Sequence, residues 1–286
     1  MTDNDSREMG GAIQIADDMG FRVELAHPPA RIVSLVPSWT ETLFALGFNS
    51  EIVGVTKFCV EPAAAVASIA KVGGTKNPDV RAILNLAPEL VIANAEENRR
   101  EDIERLRAGG IPVFTTYPRT VPGAVESILR MGRALGRESG AAALAKQITL
   151  AVSGIEAALG VWSKLRLRVF CPIWKKPWMS FNADTYAHDV LRMLGYNNIY
   201  ASAGERYPTV TLEEAIERRP DIVILPDEPY AFDESDVAEL KSMLPPALGR
   251  RVLIVGGRDL HWYGVHMVNG LKSLAERMAR VRAAVI

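Results

Sequence analysis

The chain has 286 residues, 48% hydrophobic and 23% charged, with a formal net charge of −1. That is the balance of a soluble globular protein long enough for two α/β lobes with sizeable cores. The charge supplies no global field toward nucleic acid or acidic lipid, and no window approaches 18 uninterrupted apolar residues, so a membrane-spanning helix is not expected.

The opening MTDNDSREMGGAIQIADD is acidic and polar, without the basic start and apolar core of an export signal. Read as it stands, the chain is expected in the cytoplasm, or in the periplasm if such a signal had been removed. Residues 1 to about 21 read as an arm or short hairpin, with Phe21–Leu25 as an edge strand broken by His27-Pro28-Pro29. Arg31–Val36 is a core strand. Ser38 and Glu41 form a capping box for a helix over Trp39–Leu46, which Gly47 ends. Glu51–Val55 is a strand, followed by the loop Thr56–Pro62 and a Gly-rich loop, Val72–Pro78, whose spacing is not that of a P-loop. Strand Glu89–Ala93, loop Asn94–Asn98, helix Arg99–Ala108, strand Ile111–Thr116 and helix Val121–Leu135 complete a first lobe.

The stretch Arg137–Lys164 is rich in helix formers and lacks proline, so it predicts one stiff helix about 38 Å long. After it come strand Leu165–Cys171, the segment Pro172–Met179, helix Thr185–Leu194 and the loop Gly204–Pro208. Thr211 and Glu214 make a second capping box. Strands Asp221–Leu225 and Arg251–Val255, the loop Gly256–Gly264 and a helix over Val265–Ala284 follow. The expected division is therefore an N-terminal lobe 1–136, a linking helix 137–164 and a C-terminal lobe 165–286. Asn77–Ala93 and Tyr207–Leu225 run alike: proline, short amphipathic helix, proline, acidic residue, β-branched strand. Such a repeat predicts two similar Rossmann-like lobes with mainly parallel sheets and a cleft between them.

Ligands of such folds bind outside the carboxyl ends of the strands. The loops expected there hold Phe58, Trp174, Trp178, Tyr207, Trp262 and Tyr263, flat side chains with polar tips that suit a broad, partly apolar ligand. Ser38, Thr75, Lys76, Glu97, Asn98 and Arg206 add polar groups, with Glu61, Glu96, Lys175 and Asp259 nearby. Of the four histidines only His261 is expected in a strand-end loop. It could ligate a metal held in a macrocycle, although a hydrogen-bonded loop histidine is the simpler reading. One histidine with dispersed carboxylates falls short of a metal cage. Cys59 and Cys171 are expected as free thiols. No G-x-S-x-G, HExxH or G-x-G-x-x-G element supports catalysis; a chelatase-like enzyme is the alternative of another class.

The segments RIVSLVPSWTETLFALG, VGGTKNPD, LAPELVIAN, GIPVFTTYP and RRPDIVIL resemble the cobalamin-binding type of class III substrate-binding proteins of ABC importers, the helical-backbone metal receptors. The resemblance runs from about Arg31 to Ala284. It implies two Rossmann-like lobes on a rigid helix, no chemistry and no required cofactor. It also implies a monomer that is not membrane-inserted and takes a small-molecule ligand, with an ABC permease as partner. The ligand is expected to be cobalamin or another metal chelate, with haem, siderophore or bare metal ion as alternatives. It places corrinoid-binding aromatics at Phe58 or Cys59, near Thr75, and at Tyr207. A cobalamin carrier's Trp is replaced here by Thr75 or Lys76. It also assigns permease docking to Glu213, where the matching position of the first lobe is Arg81.

Overall fold

A computed structural model describes residues 12–160 and 165–285 of the chain. The parts of the expected N-terminal arm and linking helix at 1–11 and 161–164 lie outside the described residues. The chain divides into two compact units. The first runs through Pro118 and resumes over Ala124–Lys146; the second comprises Arg119–Gly123 and the chain from Gln147 onward.

The first unit opens with an antiparallel hairpin of β1 (Ile13–Ala16) and β2 (Arg22–Leu25). It continues through β3 (Ile32–Ser34), α1 (Pro37–Ala45), β4 (Ile52–Val55), α2 (Ala63–Val66) and β5 (Ala70–Lys71). Then come α3 (Val80–Asn85), β6 (Leu90–Asn94), α4 (Arg100–Ala108), β7 (Val113–Thr116) and α5 (Val121–Ala134). Its five strands are parallel in the order β5-β4-β3-β6-β7. The β-branched runs of β3 and β6 are buried on both faces, as a helix-covered parallel sheet requires.

The helix α6 (Glu138–Leu159) has 22 residues, about 33 Å at 1.5 Å each. Ala141, Leu144, Ala145, Ile148, Ala151 and Ile155 form its buried stripe, spaced three and four apart. By length and composition alone it could cross a membrane, with a mean hydropathy of 1.3, so the sequence expectation that no stretch qualifies was too strict. Only 28% of that apolar stretch is buried, along this one stripe, and most of the remaining helix surface is exposed.

The second unit contains β8 (Leu167–Phe170), β9 (Trp178–Met179), α7 (Tyr186–Met193), β10 (Tyr196–Asn198), β11 (Thr209–Val210) and α8 (Leu212–Glu217). It ends with β12 (Ile222–Pro226), α9 (Glu234–Met243), α10 (Pro246–Gly249), β13 (Val252–Val255), α11 (Gly257–His261) and α12 (Met267–Val285). A four-stranded parallel sheet has the order β10-β8-β12-β13, and β9 pairs with β11 in a small antiparallel ribbon.

The internal repeat survives in atomic detail. Helices α3 and α8 each have six residues, strands β6 and β12 each five. Asp79 caps α3 by accepting from the Ala82 amide, and Thr211 caps α8 by accepting from the Glu214 amide. Each helix is followed by a non-glycine residue at positive φ, Ala87 at 45° and Arg219 at 48°. An arginine at the start of each unit's first parallel strand, β3 or β8, clamps that corner. Arg31 donates to the carbonyls of Leu86 and Ala87, and Arg168 to those of Arg218 and Arg219. The Glu214 carboxylate pairs with Arg218 at 2.8 Å. Asp79→Ala is expected to cost about 1 kcal/mol, read as a lower urea midpoint at unchanged slope.

Candidate ligand-binding site

In the first unit the carboxyl edge of the sheet is formed by the chain after β3, β4 and β6. The expected capping box at Ser38 is corrected: α1 begins at Pro37, with Val36 as N-cap and no side-chain cap. Proline is favoured at that first position because it has no amide hydrogen to leave unpaired. Ser38 therefore lies inside the first turn, 2% exposed, and its hydroxyl has no partner among the described residues. Thr40 donates to the Ser34 hydroxyl and the Val36 carbonyl, and lies 3.1 Å from the Cys59 sulfur. Cys59 is buried and free, and burial raises its thiol pKa, so it offers no thiolate at neutral pH.

Phe58 beside it is 51% exposed, with the Lys57 ammonium 5.1 Å from the ring centre. Gly74 lets that ring come close, since a Cβ there would meet the phenyl edge at 3.3 Å. Asn98 is a buried fastener: its amide donates to the Thr75 carbonyl at 2.9 Å and its oxygen accepts from the Asn94 amide at 2.8 Å. Lys76, exposed, donates to the Glu96 carbonyl, and Glu97 is half-buried at the same edge. Glu96 and Glu97 stand in the turn after β6, as expected of the loop Asn94–Asn98, and α4 begins at Arg100.

In the second unit the segment after β8 folds back on itself: Trp174 bridges Met179, and a cis Lys176–Pro177 peptide makes the turn. Trp174 is 43% exposed and meets Tyr230 edge-on at 5.6 Å. Trp178 stacks on Phe232 at 5.9 Å, and Tyr230 touches Phe232 at 4.6 Å. Trp174, Trp178, Tyr230 and Phe232 are thus one aromatic cluster at the carboxyl edge of β8 and β12. The last two were missed by sequence reasoning, although they follow the end of a recognised strand. Lys175 is a correction: it is buried, its ammonium 2.5 Å from Asp236 and 2.7 Å from Glu239, so it anchors the hairpin instead of facing ligand.

Tyr207 is 37% exposed, beneath Arg206, which pairs with Asp184 at 3.1 Å. Trp262 is half-buried between Arg258 and His266. Tyr263 is buried edge-on against Tyr186 and presents no open surface. His261 closes α11 rather than lying in a loop, its ring edge-on to Phe181 at 6.3 Å. Among the described residues no three His, Cys, Asp or Glu side chains gather as a metal set. Glu213 and Arg81 occupy the same second position of α8 and α3, both exposed.

Burial pushes the His261 pKa down to about 4, and its Nε2 has no partner among the described residues. The ring is therefore neutral in the folded protein at physiological pH. A base whose folded pKa lies below its unfolded value of about 6.5 contributes stability that is full above pH 6.5 and lost as pH falls through about 4. His188 is pushed the same way. Denaturant titrations at pH 7 and pH 4 should show His261→Gln losing less stability than the parent on acidification, by up to about 3 kcal/mol. Parallel losses would mean the protonated ring finds compensation.

A family model described as periplasmic binding protein matches residues 32–242. The chain belongs to that family. Its members are periplasmic binding proteins rather than enzymes. The vitamin B12-binding protein of Vibrio parahaemolyticus is 24% identical over 219 residues, 77% of this chain and 78% of its own length. The fold matches that of the periplasmic vitamin B12 binding protein BtuF of Vibrio cholerae, with a TM-score of 0.77, 18% identity and coverage of 89% and 98%. It also matches the periplasmic heme-binding protein RhuT from Roseiflexus sp., with a TM-score of 0.74, 22% identity and coverage of 88% and 98%.

Proposed function

We propose that this chain is a non-enzymatic substrate-binding protein for a corrinoid or comparably broad metal chelate, serving an ABC importer. The observation that carries the reading is the exposed Trp174 backed by Tyr230, Phe232 and Trp178, with Tyr207 exposed in the same unit. A large flat apolar surface over a rigid aromatic floor binds a macrocycle at little ordering cost. Phe58 gives the first unit its own exposed ring, with Thr75, Lys76 and Glu97 as polar rim. The B12-binding relatives favour the corrinoid within this class. Delivery to a permease would use Glu213 as an acidic contact, with Arg81 carrying the opposite charge at the equivalent place.

Haem is the second reading, favoured by the neutral, unpartnered Nε2 of His261. Calorimetric titration with cyanocobalamin, haem and zinc separates these. Micromolar or tighter binding of cobalamin alone supports the corrinoid reading. A haem response with a Soret band that His261→Ala alters would replace it, and a response to zinc alone would leave the exposed aromatics without a part in binding.

A further inference from the structure

The total charge of −1 conceals an uneven distribution. In the second unit the parallel strands all start along one edge, opposite the aromatic loops. Arg166 and Arg168 flank the start of β8, Arg219 precedes β12, Arg250 and Arg251 precede β13, and Arg282 reaches the same edge from α12. The exposed members bond to backbone carbonyls, Arg166 to Arg192 and Arg168 to Arg218 and Arg219, as does Arg251 to Asp221, whereas Arg282 is buried against Tyr196. A carbonyl accepts the hydrogen bond but leaves the positive charge in place. Arg166, Arg219 and Arg250 are exposed and have no carboxylate partner among the described residues. The carboxylates nearby are Asp221, which accepts from the Arg168 amide, and the exposed Glu217.

The first unit is an internal control. Its matching edge keeps the Arg31 clamp, yet Glu51 and Glu89 stand before β4 and β6. The basic row is therefore not a requirement of the fold. At a strand spacing of about 4.8 Å it crosses roughly 10 Å, from β8 through β12 to β13. Two exposed apolar side chains flank it, Leu165 (47%) before β8 and Met243 (51%) at the end of α9, which leads through α10 to Arg250. Cations with apolar neighbours are the composition that binds lipid headgroups and the acyl boundary beneath them, whereas a soluble polyanion has no use for the apolar flanks. We propose that this edge of the second unit docks peripherally on an anionic phospholipid surface.

The test is co-sedimentation of the full chain with vesicles of phosphatidylcholine alone or mixed with phosphatidylglycerol. Binding is expected only to the mixed vesicles, and it should weaken as salt rises. Arg166→Gln, Arg219→Gln and Arg250→Gln together should lower the partition coefficient ~100-fold, at about fivefold for each arginine, with circular dichroism and melting unchanged. Leu165→Ser with Met243→Ser should also weaken vesicle binding while leaving its salt dependence intact. Failure of the parent protein to bind mixed vesicles, or parent-like binding by the triple variant, overturns the proposal. Parent-like binding by the double serine variant, with competition by inorganic polyphosphate, would assign the row to a soluble polyanion instead.

Discussion

Trp174→Ala combined with Tyr207→Ala is expected to lower cyanocobalamin affinity by about 4 kcal/mol, roughly a thousandfold, at nearly unchanged melting temperature. Aromatic anchors commonly lose 2 kcal/mol or more each on truncation. Neither ring is needed by the core, being 43% and 37% exposed, so the loss should fall on binding. Trp174 should contribute the larger share, because Tyr230 and Phe232 hold its floor fixed before ligand arrives. The check is calorimetry of both single variants and the double. If the double variant keeps parent affinity, the ligand lies elsewhere on the chain.

Asp236→Ala carries the largest expected stability loss, about 3–5 kcal/mol. Its carboxylate is 2.5 Å from the buried Lys175 ammonium and also accepts from the Asp233 amide in the capping box of α9. Removing it leaves a buried cation with only the half-exposed Glu239. Burying an unpaired charge is what makes the change severe: Lys175→Met with Asp236→Leu should recover most of the loss. The measurement is the unfolding free energy from urea titration. A single variant within 1 kcal/mol of the parent would mean that water or Glu239 satisfies Lys175.

The core strands were legible because β3, β6, β12 and β13 are β-branched runs between breakers, and their repeat was visible in the prolines and acids around them. Short pairings carry no such period. The two-residue strands β9 and β11 exist only because Trp178 and Met179 find Val210 and Thr209 across the ribbon. Helix α9 was missed although Asp233 and Asp236 spell its capping box. Ser38 misled because a serine three before a glutamate resembles a cap, while Pro37 had already fixed the start two residues earlier than expected. Exposure was the least legible property: Trp174 and Tyr263 look equivalent in sequence, yet one is open and the other is shut against Tyr186. Burial depends on partners distant in the chain, which a local pattern does not name.

The duplicated cap-and-corner unit also exposes one residue at odds with its own helix. Aligned peptide dipoles place partial positive charge at a helix start, where an anion gains and a cation loses about 0.3–1 kcal/mol. Glu213 in the second position of α8 obeys that preference; Arg81 in the same position of α3 opposes it, and there the Asp79 cap carboxylate supplies the anion instead. The two copies are alike in length and corner but differ in cap, a carboxylate at Asp79 and a neutral hydroxyl at Thr211. Each helix start therefore holds its carboxylate at a different residue, the cap in α3 and the second position in α8. On this chain the duplicate makes that difference readable without a second protein.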